Sequence, residues 1–244
     1  AAALLRYFAP CVLFSVQARA SRSLAAAPTR RSSDLFSGRG TNLNALIDAC
    51  KDEKYPAEIA IAISNNPNAE GIAIAEAAGI PVQVINHKEF EDRDTFDAAL
   101  DSTLKEAGVE LVCNAGFMRI LTSGFVKNWH NRQLNIHPSL LPAFKGLHVH
   151  DRVLESGVRL TGATVHFVRD EMDEGPIVAQ VAVPVNSDDT VETLTVRVLE
   201  VEHQIYPMAV RLVAEGKARV QGERVTIQGM PESKTGPLYV PALT

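Results

Sequence analysis

Leu134-Asn135-Ile136-His137-Pro138-Ser139-Leu140-Leu141-Pro142 is the stretch from which fold and chemistry can both be read. Side chains alternate faces along a strand. A strand here would turn Leu134 and Ile136 into a core and set Asn135 and His137 together on the other face. Pro138 has no N–H to donate to a ladder, so the strand must stop there. The polar pair then lies at a strand's carboxyl end, where open α/β sheets bind their ligands. An amide beside an imidazole can hold a carbonyl oxygen and move a proton. An isolated Asn-x-His is more often a structural pair, hydrogen-bonded to the backbone and nothing more.

Upstream, Leu35-Phe36-Ser37 reads as the stub of a first strand, and Ser37-Gly38-Arg39-Gly40-Thr41-Asn42 as a glycine-containing turn. Leu43, Leu46, Ile47 and Cys50 recur at helical spacing. Residues 57–63 are apolar on nearly both faces, as in a buried parallel strand, and Ser64-Asn65-Asn66-Pro67 breaks the run. An Ala-rich helix is expected over 69–78, a strand over 82–85, and a helix through Phe96, Leu100 and Leu104, closed by Gly108. A strand over 109–115 and a short helix over 123–129 complete the series. This alternation predicts an α/β fold, a doubly wound, mostly parallel sheet with helices on both faces. After His137 the pattern changes. Residues 138–151 predict a Pro/Gly/His-rich loop. Residues 163–168 and 177–185 alternate like antiparallel strands, an antiparallel extension near the C-terminus, joined through Asp170-Glu171-Met172-Asp173-Glu174-Gly175. Leu194, Val198, Val201, Ile205, Ala209 and Leu212 define a long amphipathic helix. Residues 218–221 and 224–227 flank Gly222-Glu223 as a short hairpin.

Residues 1–34 stand apart. They hold five Arg and one acid, Asp34, in a chain whose net charge is −5. Arg-rich, Ser-rich, acid-poor composition fits an organellar transit peptide, and equally a start foreign to the rest of the chain. Arg30-Arg31-Ser32-Ser33-Asp34 stands where a buried strand is wanted. Disorder or poor packing is expected over 1–34, one domain over 35–230, and an irregular tail over 231–244. The 244 residues are 46% hydrophobic and 22% charged, ordinary for a globular chain. The acidic balance disfavours nucleic acid as a partner. Cys11, Cys50 and Cys113 are odd in number and far apart, which suggests a reducing compartment and neither a disulfide framework nor a zinc site. No apolar run reaches about 18 residues, so no membrane span is expected.

The turn at Gly38-Arg39-Gly40-Thr41-Asn42 lies between a strand and a helix. Free N–H groups there attract an anion, and glycines let the backbone approach it. The third glycine of a dinucleotide fingerprint would fall at Leu43, and no Gly-Lys-Ser/Thr follows as in a P-loop. A monophosphate site is the reading, against a plain turn and helix cap. Asp173, if near His137, would favour its imidazolium form; most single acids in such loops are merely solvated. Glu202 interrupts the apolar face of the long helix, either at the edge of the stripe or as a partner for a substrate amine. His148 and His150 raise a metal site with His137, but a spacing of two without a fixed third ligand is poor support. His166 is expected in the wall behind the site.

Taken together, Ser37-Gly38-Arg39-Gly40-Thr41-Asn42, Ala115-Gly116-Phe117-Met118-Arg119-Ile120-Leu121, Asn135-Ile136-His137-Pro138-Ser139-Leu140-Leu141-Pro142 and Asp170-Glu171-Met172-Asp173-Glu174-Gly175-Pro176 resemble the phosphoribosylglycinamide formyltransferase family. The resemblance runs from about Leu35 to Met230. The second pair of motifs marks formyltransferases as a group, and the Gly-Thr-Asn turn narrows the likeness to this member. It implies the formyltransferase fold and formyl transfer from 10-formyltetrahydrofolate to the amine of glycinamide ribonucleotide in purine synthesis. By it, Gly40, Thr41 and Asn42 hold the ribose phosphate. Arg93, Met118, Arg119, Ile120 and Leu121 line the folate site. Asn135 bonds the formyl oxygen, His137 is the general acid, Asp173 holds His137 protonated, and Glu202 meets the glycyl amine. No metal is implied. The implied partners are these two small molecules, without nucleic acid or membrane, in a cytoplasmic monomer or homodimer. Asn114 stands where an apolar residue is expected and needs a partner. The competing readings are methionyl-tRNA formyltransferase, formyltetrahydrofolate hydrolase, and a catalytically silent nucleotide-binding module. A tRNA enzyme would carry an added C-terminal domain and more basic charge, and the hydrolase an N-terminal regulatory domain.

Overall fold

The first strand is longer than its apolar stub. In the computed structural model, which describes residues 29–229 and Val240, β1 spans Arg30–Phe36. It lies at the centre of a seven-stranded sheet, pairing in parallel with β2 (Ala57–Ser64) on one side and β4 (Leu111–Asn114) on the other. The expectation that residues 30–34 pack poorly and lie outside the domain is therefore corrected. Backbone pairing does not depend on side-chain polarity, and a central strand has all its main-chain groups matched. Side chains adapt to that position: Ser32 Oγ donates to Glu58 O at 2.9 Å, and the Arg31 guanidinium donates to Ala107 O. Ser33 and Asp34 are buried with no partner for their side-chain oxygens. The rest of the leading segment, residues 1–28, and the tail expected over 231–244, Val240 aside, fall outside the described residues.

The strand order is β3-β2-β1-β4-β5-β6-β7. Here β3 is Val82–Val84, β5 is Gln133–His137, β6 is Leu160–Phe167 and β7 is Ile177–Pro184. The first five strands are parallel, and β6 and β7 extend the sheet antiparallel. The chain grows outward from β1 to β3, then returns to β4 on the far side of β1. The carboxyl ends of β1 and β4 thus flank a topological switch point.

Helices cover both faces. On one lie α1 (Thr41–Cys50) and the long α6 (Val191–Ala214), with Leu134 and Ile136 packed into the same core as Leu194, Val198 and Tyr206. On the other, α3 (Arg93–Glu106) and α4 (Ser123–Asn128) bury Phe96, Leu100, Leu104, Phe125 and Trp129 against Leu35, Ile61, Ile63 and Val112. The short α2 (Gly71–Ala77) closes over Phe36 and Leu43. The loop expected over 138–151 ends sooner, because α5 (Val149–Ser156) begins after His148 and stops at Gly157. Only Val149 and Val153 of α5 are buried, too few apolar positions for its period to stand out. The hairpin appears as β8 (Ala218–Gln221) and β9 (Arg224–Ile227). Among the described residues no helix is long and apolar enough to cross a membrane.

Candidate active site

Alternation along β5 places Asn135 and His137 on the face opposite Leu134 and Ile136. Antiparallel pairing with β6 sets His166 directly across from Asn135 and Thr164 across from His137. The amide of Asn135 lies 3.2 Å from His166 Nε2, while His166 Nδ1 lies 3.0 Å from the Phe167 carbonyl. A carbonyl cannot donate, so Nδ1 carries the ring proton and Nε2 accepts from Asn135. Burial, the larger cause, holds the His166 pKa below its ordinary value and keeps the ring neutral, as that arrangement requires. Asn135 is thereby oriented, with one of its two amide hydrogens engaged and the other left for a ligand.

Asp173 reaches this pair from the β6–β7 loop. It has φ +58, in the left-handed region. The loop folds tightly onto the end of β6. A Cβ at Gly175 would sit 1.6 Å from Phe167 O, so only glycine fits there. Asp173 Oδ2 lies 3.4 Å from His137 Nδ1, and Oδ1 lies 3.8 Å from His166 Nε2. The Gly146 N–H donates to Oδ2 at 2.8 Å. His137 Nε2 lies 3.0 Å from the Phe144 carbonyl. The Phe144 carbonyl can only accept, so His137 Nε2 carries a proton, and Nδ1 faces the Asp173 carboxylate at ion-pair range. The His137 and Asp173 side chains are 7% and 10% exposed, so both groups are largely withdrawn from water.

The turn after β1 is held by its neighbours. Ser37 Oγ donates to Asn65 Oδ1 and accepts from the Met118 N–H, and the Ser37 N–H donates to Gly116 O. Gly40 has φ +72, and a Cβ there would lie 2.6 Å from Gly71 Cα. The helix α1 has no side-chain cap and no acid in its first turn, which leaves its leading N–H groups and positive dipole end to a ligand. Asn42, expected to contact phosphate, keeps its backbone N–H among those leading groups, while its side chain donates from Nδ2 to Glu202 Oε2 at 2.8 Å and its Oδ1 is buried without a partner. Glu202 is 5% exposed. Burial pushes its carboxyl up to about 7 against the opposing effects of Asn42 and Arg39.

The expected folate residues divide between two clefts around the β4–α4 loop. Arg93, Ile120 and Leu121 line one of about 650 Å³, together with Asp170. Met118 and Arg119 line another of about 440 Å³, with Ser37, Asn65, His87 and Lys88. Met118 and Ile120 are 68% and 61% exposed, apolar side chains standing at the rim. Asn114 finds its partner in the Gln133 amide at 3.3 Å, and its carbonyl accepts from the Tyr206 hydroxyl.

The structure thus gathers Asn135, His137 and Asp173, pairs the Asn42 side chain with Glu202, and adds His166 as the acceptor that orients the Asn135 amide. The β5–β6 register carries that signal, and it exists only once the strands are paired. No three His, Cys, Asp or Glu side chains among the described residues are grouped as a metal ion would need.

A formyl transferase family profile matches residues 31–210. Phosphoribosylglycinamide formyltransferase of Haemophilus influenzae is 41% identical over 202 residues, 83% of this chain and 95% of that protein. The trifunctional purine biosynthetic protein adenosine-3 of Gallus gallus is 55% identical over 186 residues, 76% of this chain. The chain spans only 18% of that larger protein's length. Among solved structures, glycinamide ribonucleotide transformylase 1 from Symbiobacterium toebii is similar with a TM-score of 0.80 and 47% identity, covering 82% of this chain and 94% of that one. A formyltetrahydrofolate deformylase from Pseudomonas syringae shares the fold at a TM-score of 0.78 and 25% identity, covering 83% of this chain and 67% of that one.

Proposed function

The chain belongs to the formyl transferase family, and from that premise we propose that it moves the formyl group of 10-formyltetrahydrofolate to the amine of 5'-phosphoribosylglycinamide, a step of purine synthesis. The observation that carries the reading is the gathering of Asn135, oriented by His166, with His137 and Asp173 at the carboxyl end of β5. When a neutral amine attacks a formyl carbon, negative charge grows on the formyl oxygen. The free amide hydrogen of Asn135 is one donor for that charge, and His137 becomes the second when the formyl oxygen replaces one of the two acceptors its ring now faces, an oxyanion-hole role worth about 3–4 kcal/mol per donor. As the old C–N bond breaks, His137 gives its proton to the leaving folate nitrogen and takes in its place the proton the attacking amine loses, with the Asp173 carboxylate beside the ring throughout. A placed acid of this kind contributes about 10²- to 10⁴-fold in rate.

The open amino end of α1 suits a phosphate monoester at Gly40 and Thr41. The Asn42 backbone N–H joins that phosphate site, and its side chain fixes Glu202, whose carboxyl is poised to take a hydrogen bond from the substrate amine. Arg93, Ile120 and Leu121 receive the folate, with Met118 and Arg119 closing the loop's other side. Holding both substrates in register supplies much of the remaining acceleration. The test is an assay of purified protein with both substrates and a control without the ribonucleotide. Formyl appearing on the ribonucleotide supports the reading. Formate release at the same rate in the control points to a hydrolase and overturns it.

A further inference from the structure

Phe144 holds a backbone conformation that bulky side chains avoid, φ +54. Such a residue persists only where its surroundings over-determine it, and it clusters at working sites. Its side chain packs against the apolar core, and its carbonyl is held by a guanidinium. Arg152, on the second turn of α5, donates from Nη2 to Phe144 O at 3.1 Å and to Lys145 O at 2.5 Å. Its Nε donates to His148 O at 3.4 Å. The other end of the segment is tied by Ser139 Oγ, which donates to Ala143 O at 2.6 Å.

The same short run of backbone meets both sides of the His137 ring. The Phe144 carbonyl gripped by Arg152 is the acceptor for His137 Nε2. Two residues on, the Gly146 N–H holds the Asp173 oxygen that faces His137 Nδ1. The Lys145–Glu174 ion pair, with partners 33% and 50% exposed, also spans the two loops but is too solvated to hold them alone.

We propose that Arg152 is a positioning residue for formyl transfer: by clamping the carbonyls of Phe144 and Lys145 it sets the hydrogen-bond acceptors on both sides of His137. The inference rests on the formyl-transfer reading above. Arg152 does not touch the reacting atoms; it acts through the loop. Lysine keeps the charge but cannot span three carbonyls with a rigid fork.

In Arg152→Ala, kcat falls by about 10- to 100-fold, the scale of a misplacement near 1 Å, while KM for either substrate stays within about threefold of the parent. Added guanidinium ion at millimolar concentration restores part of kcat, and Arg152→Lys falls between the two. A kcat within twofold of the parent overturns the proposal. So does a loss that follows thermal stability and shows no rescue, since a helix-capping role alone would do that. If the alanine variant does not fold, Arg152→Lys decides by the same split between kcat and KM. Histidine ring NMR, with the His137 signal assigned by its loss in His137→Ala, separates this inference from the premise. If the parent transfers no formyl group, the formyl-transfer reading fails. An unchanged His137 signal in Arg152→Lys overturns the clamp whatever the reaction.

Discussion

Asp34→Val is expected to stabilise this protein, against the rule that central-strand substitutions destabilise. Asp34 lies in β1 between Ala62 of β2 and Cys113 of β4, with 0% exposure. Neither carboxyl oxygen has a hydrogen-bond partner. Burial pushes its carboxyl well above the ordinary range, and also raises the Cys113 thiol and Tyr206 phenol beside it. An unpaired polar group so placed costs about 1–3 kcal/mol. A fully buried Val contributes about 1.5–3 kcal/mol, and crowding by its extra bulk takes back about 1–3 kcal/mol. The net gain is about 2 kcal/mol, or about 4–8 °C in Tm for a chain of this size.

The pH dependence has a definite sign. A carboxyl whose pKa is raised by folding holds its proton more tightly in the native state, so its stabilising effect is complete below the unfolded value, about 3.9. It is then lost as pH climbs toward the folded value, at no more than about 1.4 kcal/mol per pH unit. The valine variant lacks that loss, so its advantage widens as pH rises above about 4. Urea unfolding of both proteins at several pH values measures it, with formyl transfer as a check on the native state. A variant no more stable than the parent at pH 8, or an advantage that does not grow with pH, would refute the reasoning.

Further outcomes are expected at the site. His137→Ala and Asp173→Asn each lower kcat by about 10²- to 10⁴-fold with the circular dichroism spectrum retained; near-parental rates for either remove it from its assigned role. Glu202→Gln mimics a protonated acid, so the pH profile of kcat/KM for the ribonucleotide loses a limb near the carboxyl's value of about 7; an unaltered profile shows that Glu202 does not govern amine binding. Its stability should also fall less than the parent's as pH rises through the 5–7 range, because the raised acid is gone. Gly40→Ala brings a Cβ within 2.6 Å of Gly71 Cα at a φ of +72, and should cost about 1–3 kcal/mol as well as weakening ribonucleotide binding; an unshifted urea midpoint would show that the turn yields freely.

Sequence alone determined the parallel series, the antiparallel extension and the hairpin, because each carries a period that burial imposes on local residues: Ile59, Ile61 and Ile63 in β2, or Leu194, Val198 and Ile205 along α6. It also singled out Asn135, His137 and Asp173 by residue type and motif. It could not determine that Arg30–Asp34 belong to the central strand, buried from Ser32 onward. Neighbouring backbones stabilise that strand through their hydrogen bonds, and its own side chains oppose it. Nor could it determine that His166 orients the Asn135 amide, that the Asn42 side chain faces Glu202, or that Arg152 grips the loop beneath His137. Those contacts join residues far apart in the chain or set by an irregular loop, and no local period encodes them. Strand register, a left-handed Phe144 and the close approach of Gly175 to β6 decide them, and all three exist only after the sheet has closed.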